Sequence, residues 1–148
     1  MTSLLLDTNV LLLFLVGSKY PDRIGTKRLK AFDVAHLDKV IKICRDHRVH
    51  ITLPNILTEV SNFLGSGQQQ LVPDGVETLR DYCGFVREMY VPSPEVVSDP
   101  VFSRLGLTDT AILRLADEKV EVLTIDFQLH GRLIEKGVKA VNILHFRT

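Results

Sequence analysis

Residues 3–16 read SLLLDTNVLLLFLV, and this most apolar stretch of the chain contains an acid. Residues 4–6 predict a short buried strand, and residues 10–16 predict a helix that is apolar on almost every side and therefore deeply buried. The polar residues 7–9 (DTN) separate the two, so they lie where the strand ends and the helix begins. A carboxylate in that place, here Asp7, caps the helix, binds a ligand or takes part in a reaction.

The composition is typical of one globular domain. The chain has 148 residues, of which 45% are hydrophobic and 24% charged, and this is enough for a domain with its own core. We therefore predict a single domain over residues 1–148. The formal net charge is zero, which neither indicates nor excludes nucleic acid as a partner, because a neutral protein can carry a local basic patch.

Neither a leader peptide nor a membrane segment is predicted. Residues 4–16 lack the positive charge that precedes the apolar part of a signal peptide, and an aspartate interrupts them. They are also shorter than the roughly 20 apolar residues that span a bilayer. Cys44 and Cys83 each fall on an apolar helical stripe, which predicts buried, reduced thiols. Together these observations predict a cytoplasmic protein without membrane contact.

Strand-like and helix-like segments alternate along the chain. This alternation predicts an α/β fold with a mostly parallel sheet and helices on both faces. Asp33, Asp74 (in a capping box with Glu77) and Thr108 are the predicted N-caps. The polar stretch over residues 17–33 is predicted to be an insertion or a lid. The predicted strands are residues 4–6, 50–53, 90–91, 121–125 and 138–143, and the predicted helices are residues 10–16, 34–47, 54–64, 75–89, 109–118 and 127–136.

Four acids stand out by their positions. Asp7 and Asp126 each follow a predicted strand directly, and ligands of open α/β sheets bind beyond the carboxyl ends of the strands. These two acids face one crevice if their strands are neighbours. Glu59 and Asp109 lie on otherwise apolar helix faces with no Lys or Arg beside them. Carboxylates brought together without basic partners repel, and a divalent cation relieves that repulsion.

Each of these acids alone also has a simpler explanation. Asp7 can cap the helix that follows it, and Asp109 can interact favourably with a helix dipole. Asp126 can belong to a turn, and Glu59 can be a solvated helix residue. The joint pattern favours a shared metal site, and a ligand set made only of oxygens suits Mg²⁺ or Mn²⁺ better than zinc.

Four segments resemble the acidic blocks of a known family, the PIN-domain ribonucleases. The segments are LLLDTNVLL (4–12), LPNILTEVSNFL (53–64), LTDTAILRLA (107–116) and VLTIDFQL (122–129), in the order and roughly the spacing of that family. The resemblance covers nearly all of the chain and implies a three-layer α/β/α sandwich with a parallel sheet of four or five strands. It implies a Mg²⁺- or Mn²⁺-dependent endoribonuclease that hydrolyses single-stranded RNA. The residues so implied are Asp7, Glu59, Asp109 and Asp126 for metal binding and catalysis, with Asn9 and Thr124 in support.

The resemblance also implies partners. Homodimers are common in the family, and those members that are toxins of toxin–antitoxin pairs bind an antitoxin protein. Residues 17–33 make the separation between Asp7 and Glu59 longer than in the compact toxins, so this chain departs from them there.

Basic residues in the predicted insertion form a candidate RNA-binding rim, although a solvated loop would have the same composition. They are Lys19, Arg23, Lys27, Arg28 and Lys30, and a weaker second group is Arg45, His47, Arg48 and His50. Two other functions remain open. One is a non-catalytic PIN-like domain that binds RNA or protein. The other is a phosphatase-type phosphotransfer enzyme with Asp7 as nucleophile, although its pattern has a second acid where this chain has Asn9.

Overall fold

A five-stranded sheet, parallel throughout, forms the centre of the computed structural model, which describes residues 2–145. The strands in chain order are β1 (Ser3–Leu6), β2 (His50–Thr52), β3 (Arg87–Glu88), β4 (Val120–Thr124) and β5 (Lys139–Asn142). Their order across the sheet is β3-β2-β1-β4-β5. All four neighbouring pairs are parallel.

Helices cover both faces of this sheet, so the described part of the chain is a three-layer α/β/α sandwich, as the sequence predicts. The helices are α1 (Thr8–Lys19), α2 (Val34–Arg45), α3 (Pro54–Leu64), α4 (Gly75–Phe85), α5 (Ser93–Val97), α6 (Phe102–Leu115) and α7 (Phe127–Lys136). Short 3₁₀ turns occur at Pro21–Arg23, Lys27–Leu29, Gly67–Gln69 and Ile143–His145. None of the helices within residues 2–145 is long and apolar enough to cross a membrane.

The apolar stretch around Asp7 forms the middle of the core. β1 is the central strand and pairs with β2 on one side and β4 on the other. Residues 4–6 and 10–13 are between 0% and 1% exposed, and burying each such side chain contributes about 1.5–3 kcal/mol. A strand with both faces covered is apolar at every position rather than at every second one.

The strand order reverses between β1 and β4. The chain passes from β1 outward through β2 to β3 on one side, then returns to β4 beside β1 and continues to β5. In sheets of this type a crevice opens at the carboxyl ends of the strands where the order reverses. Asp7 follows β1 directly, and its backbone N–H donates to Leu123 O in β4 at 2.9 Å. The strands before Asp7 and Asp126 are therefore neighbours, which meets the condition under which the two acids face one crevice.

The structure corrects several local predictions. The third strand lies at Arg87–Glu88 rather than at residues 90–91, because hydrophobic residues report burial and not which backbone groups pair. Helix α6 is interrupted at Gly106, whose φ of 82° and ψ of −179° are not helical. The helical segment that carries Asp109 therefore begins at Leu107, two residues before the predicted start at residue 109. Thr108 lies in the first turn of that segment, and its hydroxyl donates to Glu59 instead of capping the helix.

Asp74 provides no side-chain cap for α4, against the predicted capping box. Its carboxylate instead accepts a hydrogen bond from the Tyr20 hydroxyl at 2.7 Å and pairs with Lys19 at 3.3 Å. The predicted cap of α2 is confirmed, because the Asp33 carboxylate accepts from the backbone N–H of His36. The contacts of Asp74 join the end of α1 to the start of α4 and so fix one end of the predicted insertion.

Residues 17–33 are packed against the rest of the domain. The first of them continue α1, and Leu29 and Phe32 are buried in the core. Farther along the chain, Cys44 is buried as predicted, whereas Cys83 is exposed on α4. Burial raises the pKa of the Cys44 thiol to about 12. The prediction for Cys83 was wrong because the apolar side of α4 is only partly covered.

Candidate metal centre

The four predicted acids line one cleft at the carboxyl edge of the sheet. Asp7 and Asp126 reach it from the ends of β1 and β4, Glu59 from α3 and Asp109 from α6. The cleft has a volume of about 420 Å³. Asn9, the predicted supporting residue of α1, also lines it.

Asp7 caps α1 and faces the cleft at the same time. Its Oδ1 accepts the backbone N–H of Thr8 at 2.7 Å, and its Oδ2 accepts the hydroxyl of Thr124 at 2.7 Å. Only 6% of the residue is exposed. Burial raises its pKa to about 6, although the two hydrogen bonds oppose the rise; the charges of Glu59 and Asp126 add to it. Each carboxylate oxygen keeps a lone pair for a further ligand, so capping does not exclude a second role.

Two threonine hydroxyls hold Glu59. Thr8 Oγ1 donates to Glu59 Oε1 at 2.6 Å, and Thr108 Oγ1 donates to Glu59 Oε2 at 2.6 Å. Both donors are neutral, so they fix the orientation of the carboxylate and leave its charge in place. Sequence reasoning missed both contacts. The available signal was the position of each threonine beside a predicted acid. Thr108 directly precedes Asp109, and Thr8 directly follows Asp7.

Thr124, the other predicted supporting residue, links two of the acids. Its hydroxyl donates to Asp7 and accepts the backbone N–H of Asp126 at 3.0 Å. Asp126 in turn caps α7, because its Oδ1 accepts the N–H of Leu129 at 2.8 Å. The ends of β1 and β4 are thereby joined through one side chain.

Asp109 differs from the other acids in having no donor. No hydrogen bond or ion pair reaches its carboxylate from residues 2–145. Burial raises its pKa to about 8, and the charges of Asp7, Asp126 and Glu59 raise it further in that order. A cation beside this carboxyl group would stabilise its charged form and lower the pKa.

The ligand chemistry of the cleft fits a hard divalent cation. Its polar atoms are carboxylate, carboxamide and hydroxyl oxygens, and no Lys, Arg or His within residues 2–145 pairs with any of the four acids. Mg²⁺ and Mn²⁺ prefer such ligands. In their present side-chain positions, the acids, histidines and cysteines of the described residues include no group of three or more that could hold an ion. The support for a metal is therefore the chemistry and the repulsion of the acids.

The five predicted basic residues separate into two groups. Lys19 pairs with Asp74, and Arg23 donates to the carbonyl oxygen of Leu71 at 3.1 Å. These two side chains hold residues 17–33 in place. The other three, Lys27, Arg28 and Lys30, line a pocket of about 550 Å³.

This basic pocket adjoins the acidic cleft. The two share Asn9, Phe63 and Ile125 in their walls. The guanidinium carbon of Arg28 lies 4.1 Å from the centre of the Phe63 ring, a cation–π distance. A chain of phosphates crossing from one to the other would meet positive charge next to the acids.

The second basic group lies at the amino ends of the strands, on the opposite side of the sheet from the cleft. His50 begins β2, and its Nε2 is 3.1 Å from the carbonyl oxygen of Cys44. His47 contacts Glu121, near the start of β4, at 3.1 Å. These histidines have structural contacts at the amino ends of the strands, whereas the cleft lies at the carboxyl ends. The structure does not bring this group to the cleft.

Compared with known proteins, the chain matches no protein-family model and no curated protein. The resemblance to PIN-domain ribonucleases therefore stays a prediction from the four sequence blocks. What the structure adds is the placement of the acids of those blocks around one cleft.

Proposed function

We propose that the protein is a PIN-like endoribonuclease that hydrolyses phosphodiester bonds of single-stranded RNA with the help of Mg²⁺ or Mn²⁺. One observation carries the proposal. Acids from four separate parts of the chain line a cleft at the strand-order reversal, and no cation of residues 2–145 neutralises them. Repulsion of this kind disfavours folding, so it is expected where a charged ligand compensates for it.

In this proposal Asp7, Glu59 and Asp109 hold the principal ion, and Asp126 assists. Such an ion polarises the phosphodiester and stabilises the charge that develops during hydrolysis. The hydroxyls of Thr8 and Thr108 keep both oxygens of Glu59 oriented toward the cleft. No side chain of the cleft is required as a nucleophile.

The neighbouring residues would position the substrate. Lys27, Arg28 and Lys30 would bind phosphates of the strand beside the scissile one. Asn9 lies between the basic pocket and the acids and offers a neutral donor and acceptor to the phosphate or ribose. RNA as the substrate, the cytoplasm as the compartment, and an antitoxin or a second copy as partner follow from the sequence resemblance and belong to the same proposal.

A cleavage assay tests this function directly. We expect the purified protein to cleave a labelled single-stranded RNA with Mn²⁺ or Mg²⁺ and not with EDTA. Asp109→Asn is expected to slow cleavage by roughly 100-fold or more, because it removes a ligand charge from the site. Asp81→Asn, an exposed aspartate of α4, is the matched control and should leave the rate unchanged.

Two results would contradict the proposal. Cleavage that persists in EDTA, or that survives Asp109→Asn, would place the activity elsewhere. Binding of RNA with no cleavage under any metal condition would favour a non-catalytic PIN-like domain. Metal-dependent hydrolysis of a phosphate monoester, with no action on RNA, would favour the phosphatase-type alternative.

A further inference from the structure

A third pocket adjoins the acidic cleft on the side away from the basic residues. It has a volume of about 640 Å³ and shares Glu59, Leu107 and Thr108 with the cleft. Its remaining walls come from the start of α3 and from the segment over residues 90–93. This is the largest of the three adjoining spaces, and the proposed metal chemistry does not use it.

The pocket combines flat apolar walls with an unused amide. Tyr90 is 70% exposed, and its hydroxyl donates to Glu88 Oε1 at 2.9 Å, which restricts the ring. Leu107 and Pro92 provide further apolar surface. The carboxamide of Asn55 forms no hydrogen bond with any other residue between 2 and 145, so its donor and its acceptor are both available.

The three pockets follow one another along α3. Asn55 lines the third pocket, Glu59 lines both that pocket and the acidic cleft, and Phe63 lines both the cleft and the basic pocket. Successive members of this series are one helical turn apart, about 6 Å along the axis. That spacing is comparable to one nucleotide step of an extended single strand.

We infer that the Tyr90–Asn55 pocket binds the base of the nucleotide next to the phosphate at the acids. The ring of Tyr90 stacks on the base, and the amide of Asn55 hydrogen-bonds to the edge of the base. Aromatic stacking suits any base, whereas an amide distinguishes bases by their donors and acceptors. The inference rests on the proposed function, since that function supplies the strand.

Binding measured without catalysis tests the inference. A fluorescently labelled single-stranded RNA of eight nucleotides is titrated in EDTA, and its anisotropy is recorded. Tyr90→Ala is expected to weaken binding about 10- to 100-fold, in line with the loss of one stacked base. Tyr90→Phe keeps the ring and should bind like the unaltered protein. The control is Phe85→Ala, which removes another exposed aromatic ring. Phe85 is 62% exposed and packs on His50 at the amino ends of the strands, far from the cleft.

An RNA strand of the same length without bases supplies the second comparison. The unaltered protein should bind it more weakly than Tyr90→Ala binds the normal strand, because the contact with Asn55 is lost as well. On the strand without bases, Tyr90→Ala should cause no further loss. Equal binding of the normal strand by Tyr90→Ala and Phe85→Ala would overturn the inference. So would an equal effect of Tyr90→Ala on both strands.

The outcomes separate this inference from the proposed function. RNA cleavage with unchanged binding and base preference in Tyr90→Ala and Asn55→Ala would overturn the base pocket and leave the nuclease standing. Binding that depends on Tyr90 and on the bases, without any cleavage, would support the pocket and overturn the nuclease. A protein that neither binds single-stranded RNA in EDTA nor cleaves it with Mn²⁺ would overturn both.

Discussion

Replacing Asp109 by asparagine is expected to stabilise the metal-free protein at neutral pH. The carboxylate accepts no hydrogen bond from residues 2–145, so the amide removes a charge and no contact. Burial and the neighbouring acids raise the pKa of Asp109 from 3.8 to about 8 in the folded protein. Between pH 4 and pH 8 the folded state therefore holds a proton that the unfolded chain has released. Because the folded state binds more protons, the free energy of unfolding falls as the pH rises through this window.

The size of the effect follows from the shifted pKa. A pH of 7 is about three units above the usual pKa that Asp109 has in the unfolded chain. At about 1.4 kcal/mol per unit, the shifted pKa lowers the free energy of unfolding by about 4 kcal/mol at this pH. Asp109 is partly exposed, and solvent screening reduces this cost to on the order of 2–4 kcal/mol. Asparagine carries no such cost. At about 3 °C per kcal/mol for a chain of this length, Tm should rise by roughly 6–12 °C.

Thermal unfolding followed by circular dichroism in EDTA at pH 5, 6, 7 and 8 measures this. The Tm of the unaltered protein should fall from pH 5 to pH 8, and that of Asp109→Asn should fall less. Asp81→Asn should follow the unaltered protein. Adding Mn²⁺ should raise the Tm of the unaltered protein, because a ligand that binds only the folded state stabilises it. The same addition should raise the Tm of Asp109→Asn much less. An asparagine variant that is less stable at pH 7, or that has the same pH slope, would refute this account of the acids.

Two further predictions concern residues beside the acids. Thr108→Val removes the donor to Glu59 Oε2 and should raise the Mn²⁺ concentration for half-maximal cleavage about 10- to 100-fold. The control is Thr26→Val, because the Thr26 hydroxyl donates to the backbone carbonyl of Arg23, away from the acids. An equal effect of both variants would contradict a role for Thr108. Arg28→Ala should make RNA binding less dependent on salt. The magnitude of the slope of log association constant against log salt concentration should fall by about 1, because one phosphate contact is lost. Lys19→Ala should leave that slope unchanged, since Lys19 already pairs with Asp74, and identical slopes for the two variants would argue against the basic pocket.

The sequence predicts the central part of the fold because its signals there are strong and local. Residues 54–64 were predicted as a helix, and α3 has the same bounds, since Pro54 marks the start and Gly65 the end. Hydrophobic runs likewise locate β1 and β4. The third strand was misplaced because its pairing with β2 depends on backbone groups and not on hydrophobicity.

The arrangement around the cleft was only partly predictable for a related reason. The positions of the four acids relative to strand ends and apolar faces are visible in the sequence. The partners of Thr108 and Asp74 are not, because each side chain meets residues about 50 positions away instead of capping its own helix. The bend at Gly106, which sets the position of Thr108 in α6, also has no equivalent in a hydrophobic pattern. Among the basic residues, local sequence does not show which ones already have partners.

The burial of the segment around Asp7 has a consequence for hydrogen exchange. The amides on either side of this acid lie in residues 4–6 and 10–13, which are almost completely inaccessible, so we expect their protons to exchange only when the whole domain unfolds. The opposite wall of the cleft contains the exposed bend at Gly106 and Leu107, which is 41% exposed. Opening that bend requires far less disruption of the core. We therefore expect α6 to adjust the width of the cleft more readily than the wall that carries Asp7.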